Sequence, residues 1–194
     1  MMMKPYYELE CALLADIQFE ALDWLNKRYD LSDQKSLKTD LWLKIDSKSF
    51  LKSTTALMSW FRELKLICRE TAITVINNMS GAALHVDELP TISKINIPII
   101  NYQHVVNEWY RVPDNLMSNI VPSVNHFGSE FYELSSIDIS QCELIGNVEL
   151  QTPIVFNSQI PHRVVCQPGA KFPRVVLTCM FYNEPTEYLR VKPL

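Results

Sequence analysis

His85 and Asp87, two apart in the stretch AALHVDELP, and His162, in QIPHRVVCQPGAKFPRVVLTCMF, are residue types that chelate a divalent metal. Two imidazoles and one carboxylate make the facial triad that holds non-haem Fe(II) on one side and leaves the other positions open. On a strand, residues two apart leave the same face, so His85 and Asp87 would converge on one point. Arg174 follows His162 on a neighbouring run. Its planar guanidinium can take a carboxylate through two parallel hydrogen bonds, as a dicarboxylate co-substrate would need. A His-x-Asp spacing alone is weak, and its context decides its weight.

That context is β-rich. ISKINIPII reads as a β-branched strand bounded by Pro90 and by Asn101-Tyr102. HRVV opens a strand after Pro161, and PRVVLTCMF is a third, with Arg174, Val176, Thr178 and Met180 on one face. The Pro168-Gly169 pair in QPGAK marks a reversal between the last two. TAITVIN, NEWYRV, QCELIG and TPIVFN are further short strands. Upstream the pattern is helical. Residues 9–29 space Leu14, Ile17, Ala21 and Leu25 at three or four, with Lys27-Arg28 at the end. Ser53 is placed to cap a second helix whose face is Leu57, Trp60, Phe61 and Leu64. Trp24, Trp60 and Phe61 are expected to pack these helices onto a sheet.

Helices first and strands afterwards imply a mainly β, helix-flanked antiparallel fold rather than alternating βαβ units. The chain is expected to form one domain over 1–194, with a helical buttress over 1–70, a strand-built core over 71–182 and a polar, at most partly ordered tail over 183–194. Residues 111–130 contain two Pro, several Asn and a Gly, and read as a long irregular connection. Such a loop is either a lid or a surface insertion without a role.

Composition narrows the classes. A length of 194 residues with 47% hydrophobic and 21% charged content suits one soluble core. The net charge of −4 argues against a broad phosphate-binding face, and so against a nucleic-acid substrate. Cys11, Cys68, Cys142, Cys166 and Cys179 are scattered and odd in number, which points to reduced thiols. No apolar run approaches a membrane span and no signal-like segment opens the chain, so a cytoplasmic location is expected.

INNMSGAALHVDELPTISKINIPIIN resembles the stretch around the first metal ligand in aspartyl/asparaginyl β-hydroxylase-like and related members of the Fe(II)/2-oxoglutarate-dependent oxygenases. Here the turn is Met79-Ser80-Gly81 without the family's Pro, and Lys94 stands where an Arg is usual. IPHRVV and FPRVVLTCMF resemble the family's second ligand strand and its co-substrate strand. The likeness covers roughly residues 72–182 and is poor from about 111 to 145. It implies a double-stranded β-helix, the cupin-like jelly roll. It implies Fe(II) held by His85, Asp87 and His162, and 2-oxoglutarate held by Arg174, with Lys94, Asn96 and Thr74 facing co-substrate or substrate. It also implies oxidative decarboxylation of 2-oxoglutarate to succinate and carbon dioxide, coupled through dioxygen to hydroxylation of a peptide, amino acid or other small polar substrate.

Two other readings compete. A cupin-like jelly roll that binds a small molecule without turnover shares the fold, which cannot separate the two. An intact triad with Arg174 favours catalysis. Nucleic-acid demethylation would need a basic face and a base-stacking loop, and Trp109-Tyr110 is the one aromatic pair in reach. His104 and His126 lack a ligand partner at usable spacing, and Arg163, beside His162, belongs to the opposite strand face.

Overall fold

The computed structural model describes residues 3–29, 41–87, 91–117, 120–124 and 130–190. After β1 (Tyr6–Glu8) come α1 (Leu14–Asn26), β2 (Leu41–Lys44), α2 (Ser47–Ser53) and α3 (Thr55–Glu63). The strands β3 (Cys68–Ile76), β4 (Ala82–Asp87), β5 (Ser93–Ile100) and β6 (Val105–Arg111) follow. Next are α4 (Asp114–Met117), β7 (Val121–Val124), β8 (Glu130–Glu133), β9 (Glu143–Glu149), β10 (Ile154–Asn157), β11 (His162–Cys166) and β12 (Arg174–Phe181).

The strands build two six-stranded sheets, ordered β1-β10-β5-β12-β3-β2 and β7-β8-β4-β11-β6-β9. Every pairing is antiparallel. From β3 to β6 and again from β9 to β12 successive strands alternate between the two sheets, while β6 to β9 stay within the second. This is the connectivity of a double-stranded β-helix, the jelly roll.

Alternation decides what each face of the first sheet does. Val175, Leu177, Cys179 and Phe181 of β12 join Ile73, Val75, Ile95, Ile97 and Ile99 in one core with Ile17, Ala21, Trp24, Leu57, Trp60 and Phe61 of the helices. Each fully buried large side chain there contributes roughly 1.5–3 kcal/mol over exposure. The intervening residues Arg174, Val176 and Thr178 point the other way, between the sheets. So the helices back the first sheet, as their apolar stripes require.

Several expectations are corrected. Ser53 does not cap α3. It closes α2, its hydroxyl donating to the Ser49 carbonyl at 3.1 Å, and Thr54 does the same to Phe50 at 2.9 Å. The N-terminus of α3 is capped from α1 instead, where the Glu20 carboxylate accepts from the Thr55 hydroxyl (2.7 Å) and the Ala56 amide (2.9 Å). An acidic group there complements the helix dipole. The first seventy residues also supply β1 and β2, the two edges of the first sheet. The tail is anchored through residue 190, because Leu189 is wholly buried and its carbonyl accepts from the Lys4 amide.

Residues 111–130 are not one irregular loop. They contain α4 and β7, while 118–119 and 125–129 lie outside the described residues, as does His126. Leu116, Met117 and Ile120 pack with Leu84 and Val86, whose side chains leave β4 opposite to His85 and Asp87. These three residues of the expected lid therefore sit on the outer face of the second sheet, away from the candidate metal ligands. Among the described residues no helix is long and apolar enough to cross a membrane.

Candidate metal centre

β4 can lie against β11 because position 81 is glycine. Gly81 has φ +67°, and a Cβ there would collide with the Val164 carbonyl oxygen. The pairing then sets His162 directly opposite His85, with a register shift that leaves one extra residue in β4 between Ala82 and His85. The Ala83 carbonyl accepts from His85 Nδ1 at 2.7 Å, and the Ile160 carbonyl accepts from His162 Nδ1 at 2.9 Å. With each Nδ1–H so engaged, both Nε2 lone pairs are directed at the centre.

The ligand atoms of His85, Asp87 and His162 lie within 4.8 Å of one another. His85 Nε2 is 3.9 Å from Asp87 Oδ1, His162 Nε2 is 3.7 Å from Asp87 Oδ2, and the two rings are 4.3 Å apart. Facial ligand atoms about 2.1 Å from a shared ion stand roughly 3 Å apart, so these separations would have to shorten as an ion is bound. Burial disfavours the charge on Asp87, but the Lys94 ammonium at 2.9 Å and the two imidazoles outweigh it and hold its pKa at about 2. Burial, reinforced by His85, pushes His162 down to about 4, so it is a neutral donor at neutral pH. Asp87 and His162 thus have the protonation states that a hard-to-borderline divalent ion requires.

Behind this centre lies a second polar site. Arg174 is 2% exposed, and its Nε and Nη2 have no hydrogen-bond partner among the described residues. Burial pulls its pKa down to about 10. Asn107 is also buried with an unpartnered Nδ2, and it pairs with Val164, midway along β11 between His162 and Cys166. Cys166 is the end of β11 that lies near Arg174. Buried donors without partners cost about 1–3 kcal/mol each, more when charged, unless a ligand satisfies them. The arrangement suits a small dicarboxylate with one end at the metal and the other at Arg174.

The other expected residues divide between the two ends. Lys94 is inward but lies against Asp87, not beside Arg174. Asn96 faces inward and accepts from the Thr178 hydroxyl at 2.7 Å. Thr74 pairs with Val176, on the same inner face as Arg174. Arg163 is external, bonded to Glu108 at 2.7 Å. Trp109 is buried and stacked on Tyr6 at 4.9 Å, so it offers no platform for a base. Asn107 was not singled out by its residue type or spacing. Its one sequence signal is a polar residue two positions from Trp109, and so on the same strand face.

No family model matches the chain, and no curated protein sequence matches it. Solved structures do. HygX from Streptomyces hygroscopicus, with nickel and 2-oxoglutarate bound, superposes with a TM-score of 0.53 at 10% identity, covering 91% of this chain and 82% of its own. The epimerase SnoN, in complex with Fe3+, alpha ketoglutarate and nogalamycin RO, gives 0.53 at 10% identity over 98% and 86%. At such identity the likeness is one of fold, and it places this chain among the cupin-like jelly rolls.

Proposed function

We propose that the chain is an Fe(II)- and 2-oxoglutarate-dependent dioxygenase, with His85, Asp87 and His162 as metal ligands and Arg174 as the anchor of the distal carboxylate. The observation that carries the reading is Arg174, a buried guanidinium with two unpartnered donors behind a pre-oriented His-Asp-His group. A pure binding module has no use for three inward ligands and an uncompensated cation together. Asn107 adds a neutral donor between them. Asn96 and Thr74 line the same interior, and Lys94 holds one oxygen of Asp87, leaving the other for a metal.

When bound, iron and 2-oxoglutarate supply the oxidising chemistry: substrate C–H, dioxygen and 2-oxoglutarate become C–OH, succinate and carbon dioxide. The protein's share is to orient both carboxylate ends and keep the interior dry. The substrate in this reading is a peptide, amino acid or small polar molecule, and the motif likeness around His85 supports a β-hydroxylase-like relative. Because one structural neighbour is an epimerase, C–H inversion without oxygen insertion is a second outcome. A gain of one oxygen atom in the product mass separates the two.

The test is succinate formation from 2-oxoglutarate. It should require Fe(II), disappear in His162→Ala and fall steeply in Arg174→Ala. Binding of 2-oxoglutarate that is indifferent to Arg174 would sink the reading.

A further inference from the structure

Cross-strand pairing sets four side chains in a row on the inner face of the second sheet. Glu133 of β8 stands opposite His85, His85 opposite His162, and His162 opposite Trp109. In the next row Phe131 stands opposite Asp87. The Trp109 end of the row is shut by its stack on Tyr6. The other end, toward β8 and the edge strand β7, is more exposed: the His85 side chain is 22% exposed against 10% for His162, and Phe131 and Glu133 are both half-buried. A substrate therefore approaches the metal ligands past β8.

Glu133 has no structural employment that explains it. His85 is already oriented by the Ala83 carbonyl. Glu133 is not in the group of atoms that could hold the ion. Among the described residues its one hydrogen bond is a long one, 3.5 Å, from the Ser123 hydroxyl, and no cation pairs with it. Yet it lies one strand spacing, about 4.8 Å, from a metal ligand at the more exposed end. Beside it the Phe131 ring meets His85 edge-on at 6.2 Å.

We propose that Glu133 and Phe131 select the substrate, and that the substrate carries a protonated amine. The inference rests on the dioxygenase reading and narrows its substrate class to ammonium-bearing molecules. A carboxylate gives an ammonium a charge-assisted hydrogen bond, and a neighbouring ring adds a cation–π contact. The same carboxylate repels acidic substrates from the mouth, which is selection by exclusion.

Manganese(II) in place of iron makes the site a paramagnetic reporter without turnover. With protein, manganese and 2-oxoglutarate present, proton relaxation of n-butylammonium, n-butanol and butyrate measures how closely each approaches the metal. n-Butylammonium should bind roughly tenfold more tightly than n-butanol, as one charge-assisted contact implies. Glu133→Gln should erase that preference, and Glu133→Lys should transfer it to butyrate, with metal and 2-oxoglutarate affinities unchanged in both. Equal relaxation of the three probes, or an ammonium preference that survives Glu133→Gln, would overturn the proposal and leave the dioxygenase reading standing. Loss of manganese in both variants would assign Glu133 to the metal site and overturn selection. Failure of the wild-type protein to bind manganese or 2-oxoglutarate would remove both readings together.

Discussion

The two ends of the inter-sheet space are built on opposite principles. At the end with the candidate metal ligands the protein balances itself: Asp87 is compensated by Lys94, and both imidazole Nδ1 atoms are bonded to carbonyls. At the far end Arg174 and Asn107 keep donors without partners. The first arrangement can fold without its ion. The second stores an unmet demand that an anion would satisfy. A buried cation with no counter-charge therefore marks a ligand position more sharply than a well-paired cluster does.

The largest expected effect is at the ligands themselves. Asp87→Ala or His162→Ala should abolish tight metal binding, a loss beyond the roughly hundredfold that disturbing outer partners of a ligand causes. Calorimetric titration with nickel(II) measures it. Affinity retained in both variants would mean that the paired cluster is only structural, and the contrast between the two ends would collapse.

Lys94 and Arg174 then break the comparison in opposite directions. Lys94→Met leaves Asp87 buried without its counter-charge and should destabilise the metal-free protein by about 3 kcal/mol in urea unfolding, with bound metal recovering much of it. Arg174→Met removes a buried charge that pairs with no carboxylate among the described residues and should stabilise the ligand-free protein by about 1–2 kcal/mol. The same variant should weaken 2-oxoglutarate by tenfold or more. A destabilised Arg174→Met would show that the guanidinium holds the fold, and would erase the distinction between the two ends.

The parts of this design that were readable in the sequence are those that depend on local pattern. His85 and Asp87 share a face because a strand has period two, and SKINIPII and PRVVLTCMF were visible as strands from their β-branched runs. The apolar stripes of α1 and α3 gave away the helix layer for the same reason. What was hidden depends on register between distant strands. Asn107 matters only because it pairs with Val164, and Glu133 only because it pairs with His85. Lys94 was placed on the right face, but its reach to Asp87 could not be separated from a reach to the co-substrate. Glu20 capping α3 from another helix leaves no trace at the capped end, where Ser53 looked sufficient. The middle segment failed as a lid because Leu116 and Met117, though spaced like loop residues, were apolar enough to seek the outer face of the second sheet.

Asn107 offers the smallest and most discriminating test. Its Nδ2 is buried without a partner at the register midway between His162 and Cys166. If it donates to bound 2-oxoglutarate, Asn107→Leu removes one neutral hydrogen bond, worth about 0.5–1.5 kcal/mol, or roughly a threefold to tenfold loss of affinity. The ligand-free protein should not lose stability, because an orphaned amide is exchanged for an apolar side chain of similar volume in a site beside Val164 and Trp109. The two readouts together exclude a packing role, since a residue that merely filled space would lose stability and co-substrate affinity in parallel. Unchanged 2-oxoglutarate affinity in a stable Asn107→Leu protein would confine the anion site to Arg174 and shorten the unpaired end to a single side chain.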